Sequence, residues 1–336
     1  MGGAGGCSSD LPAASFIDKL RVLAVRAQPP ELAPGETTAL DLLAVEPLLQ
    51  QLDGAASQPL SAVWLACALP AGTLTVQPCG IGGALDGGSG STPPLCSVDP
   101  GAPLCLISIN HEGPTRDPLD LATHYTVDAQ ALGGAAAAQI LLTVAVANTS
   151  AGAEGCLLDV ANNGGRPKDP DHCVISIKRL AISDNRQRTT PPNANPTLAD
   201  FTATPPGGAP GALDDGSGVW SVAPAKDKTQ WTIAADRSDG AAEKKADGTY
   251  EVLTVSWFTT AGHLDGGRSI YLPPGCNDPA ACPTALPEAG ASTSWFAPTL
   301  DQASSVVDAS GLVDFWAVIR DDRGGVGWRT GSLRQK

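Results

Sequence analysis

The sequence predicts an all-β protein: two β-sandwiches in series, the first enlarged by long, disulfide-stapled loop insertions. Three observations predict this. Short apolar runs of strand length recur along the chain, several alternating with polar residues at the two-residue period of a half-buried strand. Glycine and proline, 38 and 29 of the 336 residues, punctuate these runs at a level that suits many turns without wholesale disorder. Eight of the nine cysteines each have a neighbour in sequence close to a turn-rich stretch. A chain of this length suits two domains.

The elements follow in order. Residues 20–28 (LRVLAVRAQ) read as a first strand, PPELAPGE (29–36) as a turn and TTALDLLAV (37–45) as a second strand. SAVWLACAL (61–69) is a strand carrying a core tryptophan, Trp64. After it, residues 79–105 form a long excursion almost without apolar content. Strands return at 106–109, 139–147 and 173–183. A short helix is allowed only within 117–134. DNRQRTTPPNANP (184–196) has three prolines and no apolar residue larger than alanine, which makes it the linker. The pattern restarts at 197–205 and continues at 217–223, 229–235, 250–262 and 292–298. In the closing stretch, 311–333, Val313, Phe315, Ala317 and Ile319 fall on one face while Asp314 and Arg320 fall on the other. That is a half-buried strand, and DDRGG is its turn into the last one. The divisions are thus 1–18, a first sandwich at 19–185, a linker at 186–196 and a second sandwich at 197–336.

Cys67, Cys79, Cys96, Cys105, Cys156, Cys173, Cys276 and Cys282 are expected as four disulfides formed in an oxidising compartment. Cys156 with Cys173 and Cys276 with Cys282 stand apart from the rest. Among the other four the preferred pairing is 67–79 with 96–105, followed by the nested 67–105 with 79–96. No C-x-x-C spacing supports a zinc site.

Cys7 is left over. AGGC followed by SSD resembles the lipobox of bacterial lipoproteins, with Ala4 where leucine is usual. The resemblance implies that Cys7 is lipidated as the first residue of the mature protein, with a polar tether up to about Ala14. The charged and apolar regions of a signal peptide would then lie upstream of Met1. A second resemblance concerns the sandwiches. The strand, turn and strand of 20–45 are similar to the opening of bacterial immunoglobulin-like domains. VSWFTTAG, Trp295 to Pro298 and FWAVIRDDRGGVGW resemble the closing strands of PKD-like and cadherin-like repeats. Together these motifs place the chain near the secreted lipoproteins of myxobacteria. They imply immunoglobulin-like folds on an outer membrane or cell surface, other envelope or surface proteins as partners, and no catalytic residues. Strands 37–45 and 139–147 hold no cysteine, so the inter-sheet bridge of antibody domains is missing. The cysteines are therefore expected to staple loops at the rim.

The formal net charge of −14, with no basic run, disfavours nucleic acid and anionic membrane surfaces, leaving the lipid as the one expected membrane contact. No stretch reaches 18 consecutive apolar residues. The chain has no G-x-S-x-G, no phosphate-binding glycine loop and no H-E-x-x-H; His111–Glu112 is followed by Thr115 where the second histidine would stand. No enzyme is expected. Calcium is the one cofactor considered, at the loop carboxylates Asp169 and Asp171, Asp214 and Asp215, or Asp236 and Asp239, against the simpler reading of solvated turns. Trp316 alternates with the apolar face and so points away from it. It is the tryptophan to watch for a sugar platform. The expected function is a structural or protein-interaction subunit, with a calcium-dependent adhesion or carbohydrate-binding module as the alternative. The stapled stretch 79–105 is the expected contact.

Overall fold

The computed structural model describes residues 14–46, 59–69, 79, 93–99, 101–113, 118–135, 137–184, 191–213, 220–222, 229–299 and 311–335. The described residues between 21 and 183 supply eight strands: β1 (Arg21–Gln28), β2 (Glu31–Leu32), β3 (Thr37–Val45), β4 (Ser61–Leu69), β5 (Leu104–His111), β6 (Thr123–Thr126), β7 (Ala137–Ala147) and β8 (Cys173–Ser183). They form a three-stranded sheet in the order β1-β3-β6 and a five-stranded sheet in the order β2-β8-β7-β4-β5. The described residues between 198 and 335 supply ten more. These are β9 (Leu198–Thr204), β10 (Gly211–Ala212), β11 (Trp220–Val222), β12 (Gln230–Arg237), β13 (Thr254–Thr259), β14 (His263–Leu264), β15 (Arg268–Ile270), β16 (Gly290–Phe296), β17 (Leu312–Arg320) and β18 (Val326–Gln335). Their two sheets run β10-β9-β12-β16-β14 and β11-β18-β17-β13-β15.

The two halves share one central strand order, to which the second adds β10 and β14 at the edges of one sheet. In each, the first strand is broken: its early part joins one sheet (β1, β9), and a short later part (β2, β11) crosses to the other. There it pairs parallel with the last strand (β8, β18), whereas the other pairings are antiparallel. With β3 or β12 as the second strand and β4 or β13 as the third, this is the immunoglobulin-like sandwich. The third strand of each carries a buried tryptophan. Trp64 is fully buried and donates to the carbonyl of Leu121 at 3.0 Å; Trp257 donates to Ser269 Oγ at 2.9 Å. The core of the first sandwich gathers Leu40, Leu42, Leu142, Val144 and Leu180 around Trp64. That of the second sets Trp295 edge-on to Trp231 and Phe315, the ring centres 6.3 and 5.1 Å away. Apolar side chains thus fill the space that the inter-sheet bridge takes in antibody domains.

The cysteines pair as Cys67–Cys79, Cys96–Cys105, Cys156–Cys173 and Cys276–Cys282, with Cα atoms 4.9–6.4 Å apart. Their placement corrects the expectation of staples at the rim. Cys96 and Cys105 belong to the inner core. Cys79, Cys156 and Cys173 are buried in a second apolar cluster on the outer face of the five-stranded sheet. Cys276–Cys282 alone is a partly exposed loop clip.

A helix, α1 (Gly152–Asn162), covers that outer face, where no helix was expected. Ala153, Cys156 and Val160 fall at helical spacing and are buried against Val63, Leu65, Leu141 and Ala145. No side chain at the helix's own start caps it. Instead Ser61 Oγ on β4 accepts the Ala153 N–H at 2.7 Å. Gly152 makes this approach possible, since a Cβ there would stand 3.2 Å from the same oxygen and its φ is +63°. Within 117–134 the structure has a 3-10 turn at Pro118–Leu121 and then strand β6.

Candidate functional site

The most elaborate polar and apolar construction in the molecule is the junction between the two sandwiches. It begins with an irregularity in β1. Val22 opposes Ala44 and Ala24 opposes Leu43, which leaves Leu23 as the extra residue of a β-bulge. The bulge turns Leu23 to the outer face beside Ala24. There both join Leu43 and Val45 of β3. Across from them, on the outer face of the second sandwich, stand Trp316, Val318, Val326, Phe258 and Trp328. β17 is therefore buried on both faces, not half-buried. Val313, Phe315, Ala317 and Ile319 fill the core of their own sandwich, while Trp316 and Val318 pack against the other. Trp316 does point away from the inner face, as its position in the strand predicts. It is 8% exposed, however, so it offers no open platform to a sugar.

Polar contacts frame this apolar patch. The bulged carbonyl of Leu23 accepts from Arg320 Nη2 at 2.6 Å, and the other arm of Arg320 reaches Ser256 Oγ at 3.2 Å. Burial, and then Arg268, pull the Arg320 guanidinium below its ordinary value. Arg26 pairs with Asp41 at 2.8 Å and lies over the Trp328 ring, 4.3 Å from its centre.

The turn between β17 and β18 completes the junction. Arg323 reaches Glu31 of the first sandwich at 3.0 Å, and Glu243 and Glu251 of the second at 3.3 and 3.1 Å. Lys178 of β8 donates to the carbonyl of Gly324. Asp321 holds the turn together by accepting from the N–H groups of Arg323 and Gly325 at 2.9 and 2.7 Å. Burial pushes the Glu251 carboxyl up to about 7; Asp321 adds to the rise, and Arg323 opposes it. Burial also pulls the Lys178 ammonium down to about 8, against the attraction of Asp321.

Two chain segments cross the junction and pin it. Ser15 to Ile17 run alongside Thr259: Ile17 N–H donates to the Thr259 carbonyl, and Thr259 N–H to the Ser15 carbonyl, both at 2.9 Å. The expected tether therefore ends by Ser15, and residues 15–18 belong to the folded body. The second segment is the linker, whose described part is 191–196. Asn193 is 3% exposed; its N–H donates to Glu31 at 2.9 Å and its amide reaches Asp321 at 3.3 Å. Asn195 donates to the Ala27 carbonyl at 2.7 Å and accepts the Val326 N–H at 2.8 Å. Glycines at 325 and 327 admit this segment, for a Cβ on Gly325 would stand 2.8 Å from the Pro196 ring and one on Gly327 would overlap the Pro196 carbonyl. A stretch expected to be a spacer is a wedge.

The predicted site residues scatter. Asp171 pairs with Lys19 at 2.8 Å, and Asp169 closes a turn onto the Asp171 N–H at 3.3 Å. Asp236 is the last residue but one of β12, and Asp239 lies exposed in the following turn. Asp214, Asp215, Cys7 and residues 80–92 of the stapled stretch lie outside the described residues. Among the described residues no three His, Cys, Asp or Glu side chains come together to hold a metal. Glu112 accepts the Leu60 N–H at 3.0 Å, His172 bonds Asn148 at 2.9 Å and His263 stacks on Phe296. One sizeable cleft, of about 450 Å³, opens beside the Cys276–Cys282 clip between Tyr250, Ile270 and Pro283. Sequence reasoning missed the junction. The unbroken apolar run FWAVI (315–319) was its signal, because a strand covered on both faces loses its alternation.

No family model matches the chain, and a search of curated proteins finds no match. Among solved structures, the three N-terminal domains of the highly immunogenic outer capsid protein Hoc of bacteriophage RB49 align at 8% identity. The alignment spans 94% of this chain and 69% of that one, with a TM-score of 0.22. Latent PorU from Porphyromonas gingivalis aligns at 10% identity over 95% of this chain and 24% of its own, with a TM-score of 0.21. An α-L-rhamnosidase from Dictyoglumus thermophilum aligns at 6% identity over 95% and 29%, again with a TM-score of 0.21. The immunoglobulin-like assignment rests on the strand order and not on these overlays. Four disulfides mark an extracytoplasmic protein, and among the described residues no helix is long and apolar enough to cross a membrane.

Proposed function

We propose that this chain is a non-enzymatic surface protein, anchored to the outer membrane or cell surface by lipid on Cys7. It serves as a structural or protein-interaction subunit of an envelope or extracellular assembly. The observation that supports this reading is the junction. Two sandwiches are locked face to face by an apolar patch, a shared arginine and two pinned segments, so the pair holds a fixed geometry. Elaborate polar chemistry is concentrated there, where it joins the halves to each other. A fixed pair of sandwiches suits a part whose task is to present surfaces at a set spacing and angle. Carbohydrate on Trp316 is set aside as a first reading because that ring is covered, and Asp171 is already paired with Lys19.

The test is purification of the protein from the envelope of its own cells under mild detergent. The expected result is membrane-fraction protein whose first peptide begins at Cys7 and carries acyl chains, accompanied in fixed ratio by another envelope protein. Unlipidated protein in the soluble fraction, or turnover in a screen of ester, peptide and glycoside substrates, would overturn the reading.

A further inference from the structure

Two buried titratable side chains meet the turn between β17 and β18 from opposite sides. Lys178 lies on β8, alternating with the core residues Leu180 and Ile182, and its ammonium passes out between the sheets to the carbonyl of Gly324. Among the described residues no carboxylate stands within ion-pair distance of it. Asp321 attracts it from further off, and Arg320 repels it. Glu251 is 1% exposed and meets Arg323 at 3.1 Å. It also accepts the Glu243 N–H at 3.3 Å, and the carboxylates of Asp321 and Glu243 repel it. Asp322 stands next along the turn, paired with Lys245 at 3.0 Å. Thus Glu31, Glu243 and Glu251 crowd around one guanidinium with Asp321 close by in the turn, while one ammonium lies buried under it.

We propose that this turn is a proton-linked latch between the sandwiches, gripping least when Glu251 and Lys178 are both charged and more firmly when either is neutral. Closing the junction takes Lys178 out of water and presses Glu31 toward the other carboxylates. A charge enclosed without full compensation costs free energy that the neutral form avoids. The two signs are opposite. The Glu251 carboxyl is raised to about 7, so its stabilising contribution is present at acid pH and is lost as pH rises through about 7. The Lys178 ammonium is lowered to about 8, so its contribution is present at alkaline pH and is lost as pH falls through about 8. The grip has its minimum between those two values.

Fluorine NMR of the full chain labelled with 5-fluorotryptophan tests this. Trp316 and Trp328 report on the junction, while Trp64 and Trp257 report on the two cores. The open population read at Trp316 and Trp328 should peak at about pH 7.5 and fall roughly tenfold toward about pH 5.5 and about pH 10, with the core signals unmoved. Glu251→Gln should abolish the fall on the acid side. Lys178→Met should abolish the fall on the alkaline side; Lys178→Arg, which stays charged, should do the same while keeping the cation. Junction signals without pH dependence, core signals moving in step with them, or variants that keep both limbs would each overturn the latch.

Discussion

Arg320 of the second sandwich donates to the carbonyl of Leu23 in the first at 2.6 Å. The bulge sets Leu23 outside the regular ladder of β1 and β3. One local irregularity in a strand therefore supplies both an extra apolar side chain and an acceptor for a half-buried cation from the other half of the chain.

Removing that cation should loosen the junction. In Arg320→Met the Leu23 carbonyl loses its guanidinium partner, and an unsatisfied buried acceptor costs about 1–3 kcal/mol. Thermal unfolding should show the loss. Arg320→Lys should recover only part of it, because one ammonium cannot reach Leu23 and Ser256 together.

The second sandwich made alone, residues 197–336, should fold and yet associate. Its core cluster lies entirely within its own strands and loops, whereas Phe258, Trp316, Val318 and Trp328 lose their cover. Dye binding to exposed apolar surface and light scattering should both rise, and Trp316→Ser with Trp328→Ser should suppress them.

The bridges should differ in worth. Cys156–Cys173 closes a loop of 17 residues and ties α1 to β8; Cys276–Cys282 spans 6. The chain-entropy relation gives about 3 kcal/mol for the first and about 2 kcal/mol for the second. Replacing each pair by alanine and following denaturant unfolding checks the order. Loss of the first pair should widen the gap further, since both sulfurs are buried against the sheet.

Gly327→Ala should be among the most damaging single methyl additions. The new carbon would collide with the carbonyl of Pro196, which is backbone and must move with the whole wedge. We expect a loss of about 2 kcal/mol or more in thermal unfolding, as overpacking a tight site produces. Gly207→Ala, in open space on a turn, should cost less despite its positive φ.

Much of the fold is legible in the sequence, for reasons that sharpen with each element. Strands 37–45 and 173–183 appear at their observed bounds because alternation and flanking turns agree there, and 61–69 appears as an unbroken apolar run of strand length. The cysteine pairs follow from nearness along the chain. α1 was overlooked because GAEGCLLDVAN begins and ends among residues that break helices, and its start is supported from β4 across the fold. The broken first strands β2 and β11 are two and three residues long, too short to carry a period. The junction is the deepest omission. Asp41 and Arg26 read as ordinary outward-facing charges, and nothing local says that a second sandwich covers them. The site is a property of contacts between residues some 300 positions apart, such as Leu23 with Arg320 and Glu31 with Arg323.

The pairing of Ser15 and Ile17 with Thr259 also sets an order of events during export. A chain delivered amino end first presents the first sandwich well before residue 259 arrives. During that interval Ile17, Leu23, Leu43 and Val45 have nothing to lie against. The nascent protein therefore passes through a stage with an adhesive face and an unattached leading segment, which a chaperone outside the cytoplasm would recognise and which ends only when the last two strands emerge. A stop codon introduced after the first sandwich would freeze that stage, turning a transient client of the chaperones into a permanent one.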